Sequence, residues 1–391
     1  MDVTDVLILG AGAAGMMCAI EAGRRGRRAI VLDHANAPGE KIRISGGGRC
    51  NFTNLSTPPE RFLSKNPRFA LSALRRFTPA DFIARIDAAG IGWHEKTLGQ
   101  LFCDGSARQV VSMLTHQMAE AGVDLRLGST VVNIDRDGGF RVATSHGPIL
   151  AERLVVATGG KSIPKMGATG FAYRIAEDFG VPVTDTRPGL VPLTFAEQEL
   201  LRLRPLAGVS VQARVSLGKT AFDEGLLFTH RGLSGPSILQ ISSYWREGDR
   251  LSLDLVRGLD VATQLRTDRA TSGRSAIHNV LARYLPEKLA LMVLDDIGVA
   301  GRLADQQNAV LDRIGAAVNS WQVLPVGSEG YRTAEVTLGG VDTDALEART
   351  MEVKAVPGLH FIGEAVDVTG WLGGYNFQWA WSSGWAAGQV V

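Results

Sequence analysis

The sequence of 391 residues is poor in features that mark several classes of protein. Its three cysteines, Cys18, Cys50 and Cys103, form no CxxC or CxxxxC pair, which argues against a disulfide reductase that works through a neighbouring dithiol. No group of His, Cys and Asp residues has the spacing of a metal site. No apolar run is long enough to cross a membrane and no signal-peptide pattern is present, so we expect a soluble, cytoplasmic protein without a membrane partner.

An excess of charge of one sign is also missing. The chain has 41 Lys and Arg against 40 Asp and Glu, and its formal net charge of +1 gives no overall field that would attract nucleic acid. A local basic patch would be needed, and Arg24, Arg25, Arg27 and Arg28 form the clearest one, although the dipole of a preceding helix also favours cations there. We therefore expect a small-molecule substrate and no nucleic-acid partner. The oligomeric state is left open.

The first 33 residues contain a dinucleotide-binding fingerprint. An apolar strand at residues 6–9 leads into Gly10-x-Gly12-x-x-Gly15, and a second strand ends at Asp33. In such a unit the glycines permit a tight turn, close approach of a pyrophosphate and close helix packing, while the acid accepts hydrogen bonds from a ribose. The pattern predicts a Rossmann-type nucleotide site, but by itself it does not distinguish FAD from NAD.

The segment that follows favours FAD. Residues 40–54 read EKIRISGGGRCNFTN, where a pure NAD domain would continue with another ordinary βα unit. Three consecutive glycines among donors such as Lys41, Arg49 and Asn51 suit the close approach of a planar, partly anionic ligand. Cys50 is interpreted as a small residue in a tight turn, and proximity to the flavin is the alternative.

Two later strands end in residues that are typical of flavoproteins. One strand runs into Thr158-Gly159-Gly160, and another runs from Leu359 into Gly363 and Glu364. Flavoproteins of the glutathione-reductase type show this trio of strands, and the acid after the last strand typically holds the ribityl chain. Glu364 and Asp367 are both candidates for that role.

The predicted fold class is α/β. We expect a discontinuous Rossmann-type FAD-binding domain at residues 1–188 and 335–391, because the last strand of the trio returns only near residue 359. An inserted β-rich domain at 189–258 and a helical subdomain at 259–334 lie between its two parts. Within the first part, residues 61–122 show a helical pattern, with apolar spacing of three to four residues at 68–77, 78–86 and 106–121, and Thr78 before Pro79 indicates a helix start.

The carboxyl-terminal segment is expected to complete the flavin site. Gly373 and Gly374 precede a helical run, so the N-terminus of that helix would face the isoalloxazine and stabilise negative charge on the reduced ring. Trp371 and Tyr375 are expected near the ligand. The tryptophans at 379, 381 and 385 are expected to pack in the core.

Several segments together resemble one known family. They are SGGGRCNFTN (45–54), HEKTLGQLFCDGSA (94–107), LFTHRGLSGPS (227–237), EVTLGGV (335–341) and residues 363–388. They are similar to the BaiN-like, aminoacetone-oxidase-like family of FAD-dependent oxidoreductases. The resemblance covers most of the chain except about 240–330, and it implies one non-covalent FAD with the backbone of Val131 near the adenine.

The resemblance implies two chemistries. One is NAD(P)H-linked reduction of an activated C=C bond, and the other is oxidation of a small amine by oxygen. We expect the first, with NAD(P)H as a transient co-substrate, because no second GxGxxG lies between about 160 and 335. A flavin-dependent RNA-modifying or nucleic-acid-binding protein is a third alternative, against which the near-neutral charge counts.

The candidate catalytic residues are His230 and Tyr375. A histidine titrates near neutral pH and can donate a proton, although a structural, hydrogen-bonded His230 is the alternative. His94, beside Glu95 and Lys96, is interpreted as a surface residue. The residues predicted to contact FAD are Gly10, Gly12, Ala14, Gly15, Asp33, Lys41, Ser45, Gly46, Gly47, Arg49, Cys50, Asn51, Val131, Thr158, Gly159, Gly160, Gly363, Glu364, Gly374, Tyr375, Asn376 and Phe377.

Overall fold

A computed structural model describes residues 1–391, and the chain forms two compact units. Unit 1 comprises Met1–Arg187 and Val336–Val391, and unit 2 comprises Pro188–Glu335. The segments predicted as a β-rich domain and a helical subdomain both lie in unit 2. The domain limits given above stay a prediction.

The strands are numbered in chain order. They are β1 (Asp2–Leu9), β2 (Ala29–Leu32), β3 (Asn51–Asn54), β4 (Phe62–Leu63), β5 (Trp93–Glu95), β6 (Gln100–Cys103), β7 (Asp124–Arg126), β8 (Val131–Arg136), β9 (Phe140–Thr144), β10 (Gly147–Val156), β11 (Arg187–Gly189), β12 (Leu193–Thr194), β13 (Ser210–Leu217), β14 (Thr220–Thr229), β15 (Gly232–Ser234), β16 (Leu251–Asp254), β17 (Trp321–Val323), β18 (Gly327–Ser328), β19 (Val336–Leu338), β20 (Leu359–Phe361) and β21 (Thr369–Gly370).

The α-helices are numbered in the same way. They are α1 (Ala13–Arg24), α2 (Glu40–Gly48), α3 (Leu71–Arg76), α4 (Pro79–Ala88), α5 (Ala107–Glu120), α6 (Phe171–Asp178), α7 (Glu197–Leu203), α8 (Pro236–Ser242), α9 (Val261–Ser272), α10 (Ile277–Leu281), α11 (Glu287–Ile297), α12 (Asn308–Asn319) and α13 (Tyr375–Gly388).

The main sheet of unit 1 has a parallel core in the order β7, β2, β1, β10, β20, which confirms the Rossmann-type α/β fold. Leu9 is level with Leu32 and Val156, and Val156 is level with Phe361. The four strands β1, β2, β10 and β20 therefore end side by side. Ligands of open α/β sheets bind outside the carboxyl ends of the strands, so this register defines where to look for a site.

The three helices predicted within residues 61–122 are present. Helices α3, α4 and α5 form there, and Thr78 begins α4 with a capping box that pairs it reciprocally with Asp81. The same stretch also contains three short strands, since β4 precedes α3, and β5 and β6 lie between α4 and α5. These strands have two to four residues, too few to show a period of two, so apolar spacing does not reveal them.

Unit 2 has one seven-stranded sheet and a set of helices. The strand order is β17, β16, β13, β14, β15, β12, β18, and neighbouring strands are antiparallel. Helices α9 to α12 occupy the stretch predicted as helical from the sequence. Strand β12 has only two residues.

Helix α13 packs directly on α1, and glycines make this possible. A Cβ atom on Gly384 would lie 2.4 Å from the Ala14 carbonyl oxygen, and one on Gly388 would lie 2.9 Å from that of Cys18. Trp379 and Trp381 of α13 are fully buried, as expected from the sequence. The helix that begins at the nucleotide turn is thus supported by residues near the other end of the chain. No helix in the structure is long and apolar enough to cross a membrane.

Candidate functional site

The turn at residues 10–15, here called the amino-terminal turn, uses its glycines for two purposes. A Cβ on Gly10 would lie 2.5 Å from the Ala157 carbonyl oxygen, and one on Gly15 would lie 1.9 Å from that of Gly10. These two glycines are needed for packing. Gly12 differs, because a Cβ there would meet no atom within 4 Å. The space beside Gly12 is open, as the approach of a ligand requires.

Helix α1 begins at this open space without a cap of its own. No side chain caps its N-terminus, and its first turn contains no acidic residue. The first N–H groups of an α-helix have no partner within the helix, and together with the helix dipole they favour an anion. The N-terminus of α1 therefore fits a pyrophosphate.

Asp33 follows β2 at the same sheet edge and already supports the turn. Its Oδ2 accepts a hydrogen bond from the Ala11 N–H at 2.7 Å, and its Oδ1 accepts one from the Ala35 N–H at 2.9 Å. Each carboxylate oxygen has a second lone pair that can accept from a ribose hydroxyl. Asp33 therefore positions the turn as well as being available to a nucleotide.

The SGGG segment explains why three glycines stand together. Gly46, Gly47 and Gly48 have φ angles of +57°, +66° and +84°, which side-chain-bearing residues adopt only with strain. Ser45 ends the regular part of α2, and its hydroxyl donates to the Ile42 carbonyl at 2.8 Å. A Cβ on Gly47 would meet nothing within 4 Å, so this part of the loop is open as well.

Cys50 lies immediately beyond the loop and is buried, with a φ of +53°. Burial raises the pKa of its thiol to about 12, so the sulfur is neutral near pH 7 and is not a nucleophile. The neighbouring Arg49 is exposed, and its carbonyl accepts a hydrogen bond from the Cys103 N–H at 2.9 Å. Cys50 thus fits the interpretation of a small buried residue in a turn.

A charged network connects α2 to the ends of β10 and β20. Lys41 Nζ donates to Glu364 Oε2 and to Ser162 Oγ, both at 2.6 Å. Glu364 Oε1 accepts from Ser162 Oγ at 2.6 Å and from the Thr337 N–H at 3.0 Å. Thr337 Oγ1 in turn accepts from the Lys161 N–H at 2.8 Å. These contacts fix the segment that follows β10.

The other candidate for the ribityl acid, Asp367, is held elsewhere. Its Oδ2 accepts from the Lys65 N–H at 2.9 Å, and burial raises the pKa of its carboxyl group. The Lys65 ammonium pairs with Asp342 at 2.8 Å. Both acids named from the sequence therefore have protein partners, and Glu364 is the one that lies in the network at the ends of the parallel strands.

The segment between β10 and this network fits a bound group. Thr158 directly follows the end of β10, and its Oγ1 is buried without a hydrogen-bond partner. Gly159 has a φ of +72°, and a Cβ added there would meet no atom within 4 Å. Gly160, in contrast, packs against Thr337. An unpaired buried hydroxyl next to open space, at the same edge of the sheet as the amino-terminal turn, is what a nucleotide-carrying cofactor would satisfy.

The turn at residues 370–376, here called the carboxyl-terminal turn, is occupied by the protein itself. A Cβ on Gly374 would lie 2.3 Å from the Thr53 carbonyl oxygen, and one on Gly373 would lie 2.8 Å from the Gln100 side chain. The Asn51 amide, oriented so that both its ends are paired, accepts from the Gly374 N–H at 3.2 Å. These two glycines therefore permit close packing on β3 and β6.

Asn376 also serves this turn. Its Oδ1 accepts from the Gly370 N–H at 2.8 Å, and its Nδ2 donates to the Gly370 carbonyl at 2.9 Å. The N-terminus of α13 has no side-chain cap and no acidic residue in its first turn, so its N–H groups can still receive an anionic ligand. Phe377, in the same turn of helix, stacks on Trp381 with ring centroids 5.7 Å apart.

Tyr375 and Trp371 flank one arginine. The Arg61 guanidinium lies 5.4 Å from the Trp371 ring centroid and 5.7 Å from that of Tyr375, and it donates a hydrogen bond to the Tyr375 hydroxyl oxygen. The Trp371 N–H donates to the Arg61 carbonyl at 3.0 Å. Pairing of β4 with β21 brings these residues together. Tyr375 is thus fixed in place beside a permanent positive charge.

The structure separates the other sequence candidates. Val131 begins β8, close to Ser129, whose N–H donates to the Asp33 carbonyl, so Val131 lies on the predicted adenine side. His230 lies in unit 2, exposed in the turn between β14 and β15. His94 is paired with Asp104 at 2.6 Å, with about half of each side chain exposed, consistent with a surface role.

A family model described as the HI0933-like protein Rossmann domain matches residues 4–390. The chain belongs to this HI0933-like family. The HI0933-like chain is 51% identical to "Ribosomal RNA dihydrouridine synthase" of Escherichia coli (strain K12), covering 100% of this chain and 98% of the relative. It is 43% identical to the protein of the same name from Haemophilus influenzae, covering 98% and 97%.

A more distant relative has a different name. The HI0933-like chain is 28% identical to "3-dehydro-bile acid delta(4,6)-reductase" of Clostridium scindens, covering 98% of both chains. A solved structure of a 3-ketosteroid-delta4-(5alpha)-dehydrogenase from Rhodococcus jostii RHA1 has a TM-score of 0.50 at 13% identity, covering 99% of this chain and 97% of that one, which shows the shared fold. The chain is an enzyme of an FAD-dependent oxidoreductase family, as predicted. Its finer likeness to aminoacetone-oxidase-like enzymes stays a prediction.

Sequence reasoning missed three residues of this HI0933-like site. Ser162 and Thr337 complete the network around Glu364, and Arg61 contacts Tyr375. Thr337 lies in the EVTLGGV segment that carries part of the family resemblance, so that segment held a signal. Ser162 and Arg61 belong to no motif, and only the fold brings them to the site.

Proposed function

We propose that this protein reduces the C5=C6 double bond of a uridine in ribosomal RNA to give dihydrouridine, with FAD as its cofactor. The observation that carries the proposal is 51% identity over the whole chain to an enzyme named for this activity. Uridine contains an activated C=C bond, and reduction of such a bond is the reaction class expected from the sequence. It is a nucleic acid rather than the small molecule suggested by the net charge, so the proposal requires positive charge gathered locally.

Residues at the carboxyl edge of the parallel sheet hold the cofactor in this proposal. The open side of Gly12 and the N-terminus of α1 receive the pyrophosphate, and Asp33 accepts from the adenosine ribose. The buried hydroxyl of Thr158, which has no hydrogen-bond partner within the protein, forms a hydrogen bond with the cofactor. Glu364, oriented by its hydrogen bond from Lys41, lies on the ribityl side.

When bound and reduced, FAD would supply the hydride for the uridine ring, and NAD(P)H, a transient co-substrate, would be oxidised to NAD(P)+ in reducing the flavin again. Saturation of C5=C6 also needs a proton, and Tyr375 is our candidate to donate it. Arg61 donates a hydrogen bond to the Tyr375 oxygen, which fixes this hydroxyl group beside a positive charge at the start of α13. His230 remains a second candidate from the sequence.

The chain also keeps water from the reacting groups. Phe62 and Tyr375 pack edge to face with ring centroids 5.8 Å apart, and both are buried. Trp379 Nε1 donates to the Gly363 carbonyl at 2.9 Å, which closes the region between α13 and the end of β20. Exclusion of water by these side chains strengthens the electrostatic effect of the α13 N-terminus on a charge that develops nearby.

One specific observation favours a second candidate, which is reduction of a conjugated C=C bond in a steroid-like small molecule. The chain aligns over nearly its full length with a delta(4,6)-reductase, although at 28% identity. Both candidates use the same hydride chemistry, so substrate size distinguishes them.

The test uses ribosomal RNA from cells in which the gene has been deleted. Purified protein with bound FAD is incubated anaerobically with this RNA and with NADH or NADPH, and dihydrouridine is then measured in the digested nucleosides by mass spectrometry. We expect dihydrouridine at a discrete position, and none with the Gly12→Val variant described in the Discussion.

Two results would count against the proposal. Absence of dihydrouridine, with NAD(P)H bleaching the flavin and a steroid-like enone restoring its colour, would favour the second candidate. Rapid bleaching by a small amine, with oxygen restoring the colour, would instead indicate an amine oxidase.

A further inference from the structure

Residues 61–77 follow α13 from its first turn to its last. Three ring contacts mark the path: Arg61 with Tyr375 at 5.7 Å, Phe69 with Trp379 at 6.3 Å and Phe77 with Trp385 at 6.0 Å. Most of the apolar side chains of this segment, including Phe62, Phe69 and Phe77, are buried. Its other side faces outward, because Arg68 and Arg75 are exposed.

Four arginines lie along this outer side and its neighbourhood: Arg68, Arg75, Arg76 and Arg349, here called the arginine surface. The guanidinium groups of Arg68, Arg75 and Arg349 have no hydrogen bond or ion pair within the protein. Arg76 donates to the Arg349 carbonyl at 2.7 Å and lies 4.9 Å from the Trp385 ring centroid. Burial, with a further contribution from the charge of Arg349, lowers the pKa of Arg76.

These cations stand in an unusually basic part of the chain. Residues 41–76 contain eight Lys and Arg but a single acid, Glu60, whereas the whole chain has a net charge of +1. The dipole of α3 favours Arg75 and Arg76 in its last turn. It gives no reason for Arg68, which precedes the helix, or for Arg349, which comes from a distant segment.

Other arginines of unit 1 show the contrast. Arg28 pairs with Asp5 at 2.7 Å and Arg27 pairs with Glu152 at 2.6 Å, so the basic run noted in the sequence is neutralised by its own acids. Arg25 donates to the carbonyls of Gly388 and Val391. In the arginine surface, by contrast, Arg68, Arg75 and Arg349 form no ion pair with a carboxylate.

We propose that the arginine surface binds the phosphate backbone of the RNA substrate. RNA carries regularly spaced negative charges, and guanidinium groups bind phosphate oxygens in pairs of hydrogen bonds. The surface lies on the segment whose other end, Arg61, contacts Trp371 and Tyr375. A strand held there would therefore be led toward the predicted reacting end of the site. The identity of the RNA rests on the proposed function, but the charge argument does not.

The test compares two double variants with the same change in net charge. Arg68→Gln with Arg75→Gln alters the surface, and Arg141→Gln with Arg274→Gln removes two exposed arginines that make no ion pair. Binding of a short fluorescein-labelled single-stranded RNA to the FAD-loaded proteins is followed by anisotropy between about 50 and 200 mM salt. FAD content and melting temperature are measured for each protein, and both single variants at 68 and 75 are made as well.

We expect the surface variant to bind on the order of tenfold more weakly, with a salt slope reduced by about 1.4, since each lost contact to a single strand removes about 0.7. The control variant should match the unmodified protein. With ribosomal RNA as substrate, the surface variant should show a raised KM rather than a lowered kcat.

Equal RNA affinity and salt slope in both double variants would overturn the proposal, as would an unmodified protein that binds no RNA at low salt. Binding of vesicles rich in anionic lipid, without binding of RNA, would assign the surface to a membrane instead. These outcomes are separable from failure of the proposed function. That failure would appear as RNA binding that depends on Arg68 and Arg75 without any dihydrouridine.

Discussion

The amino-terminal turn and the carboxyl-terminal turn of unit 1 are both rich in glycine and both lead into a helix, yet their glycines do different work. Gly12 faces open space, whereas Gly374 touches the backbone of Thr53. The same residue type makes room for a ligand in one turn and for the protein's own strand in the other. A glycine before a helix therefore indicates close approach, but only the neighbouring atoms say what approaches.

Among the alanine substitutions, the largest effect is expected from Gly374→Ala. Its Cβ would lie 2.3 Å from a backbone atom at a φ of +94°, so overpacking and strain together should lower the free energy of unfolding by about 3–5 kcal/mol. Denaturant unfolding measures the change. Gly122→Ala is the matched control, because Gly122 has a φ of +69° but open space, and it should cost only about 1 kcal/mol. Equal losses of unfolding free energy in the two variants would show that close packing on Thr53 adds nothing to the strain of the positive φ at Gly374.

Gly12→Val should leave the fold almost intact and weaken FAD binding. The φ of Gly12 is −86°, an angle that valine adopts, and no protein atom is near its Cβ. We expect FAD affinity to fall by about 2–3 kcal/mol, the cost of filling space that a ligand needs. Poorer N-capping accounts for about 1 kcal/mol of unfolding free energy. FAD titration of the apoprotein measures the first quantity and urea unfolding the second.

Gly15→Val is the companion variant in the same turn. It should abolish folding, since its Cβ would lie 1.9 Å from the Gly10 carbonyl oxygen. Unchanged FAD affinity in Gly12→Val would mean that the open space beside Gly12 does not receive a pyrophosphate. The ligand-binding role given to the amino-terminal turn would then be wrong.

Asp33→Ala should weaken FAD binding by about 2 kcal/mol, as expected for hydrogen bonds to a charged group. It should also loosen the turn, because the Ala11 N–H loses its acceptor. Asp33→Asn retains one acceptor oxygen and should keep more of both properties. Calorimetric FAD titration, with melting temperatures of the apoproteins, separates the two contributions. A full loss of affinity without any change in apoprotein stability would assign Asp33 to the ligand alone.

Asn376→Ala is the mildest change and tests the second turn. It removes the two hydrogen bonds to Gly370, so unfolding free energy should fall by about 1 kcal/mol. FAD affinity should change less than in Asp33→Ala. A large loss of affinity at unchanged stability would show that the carboxyl-terminal turn also serves the cofactor directly.

The sequence predicted the parts of the fold that depend on local pattern. The strand, glycines, helix and acid of residues 6–33 form as expected, since apolar runs and glycines act within a few residues. The capping of α4 by Thr78 is equally local. The short strands β4, β5 and β6 escaped prediction because pairing partners distant in sequence, and not their own residues, hold them in place.

The candidate site shows the same limit. Asp33 and Thr158 could be named because each follows a readable strand. Two other roles could not be predicted, because each depends on atoms supplied by a distant segment. They are the hydrogen bond that Asp33 accepts from the Ala11 N–H and the close packing of Gly374 on Thr53. Arg61 lies in no motif and reaches Tyr375 through the pairing of β4 with β21.

The support of α1 by α13 sets an order of events during synthesis. Gly363, β20 and α13 leave the ribosome only after the whole of Pro188–Glu335, a delay of roughly 7 to 30 s at about 5–20 residues per second. Until then the amino-terminal turn lacks the helix that packs on it and the strand that completes its sheet. FAD must therefore be acquired late, and a nascent chain arrested anywhere within unit 2 carries the complete fingerprint but no finished place to hold the cofactor.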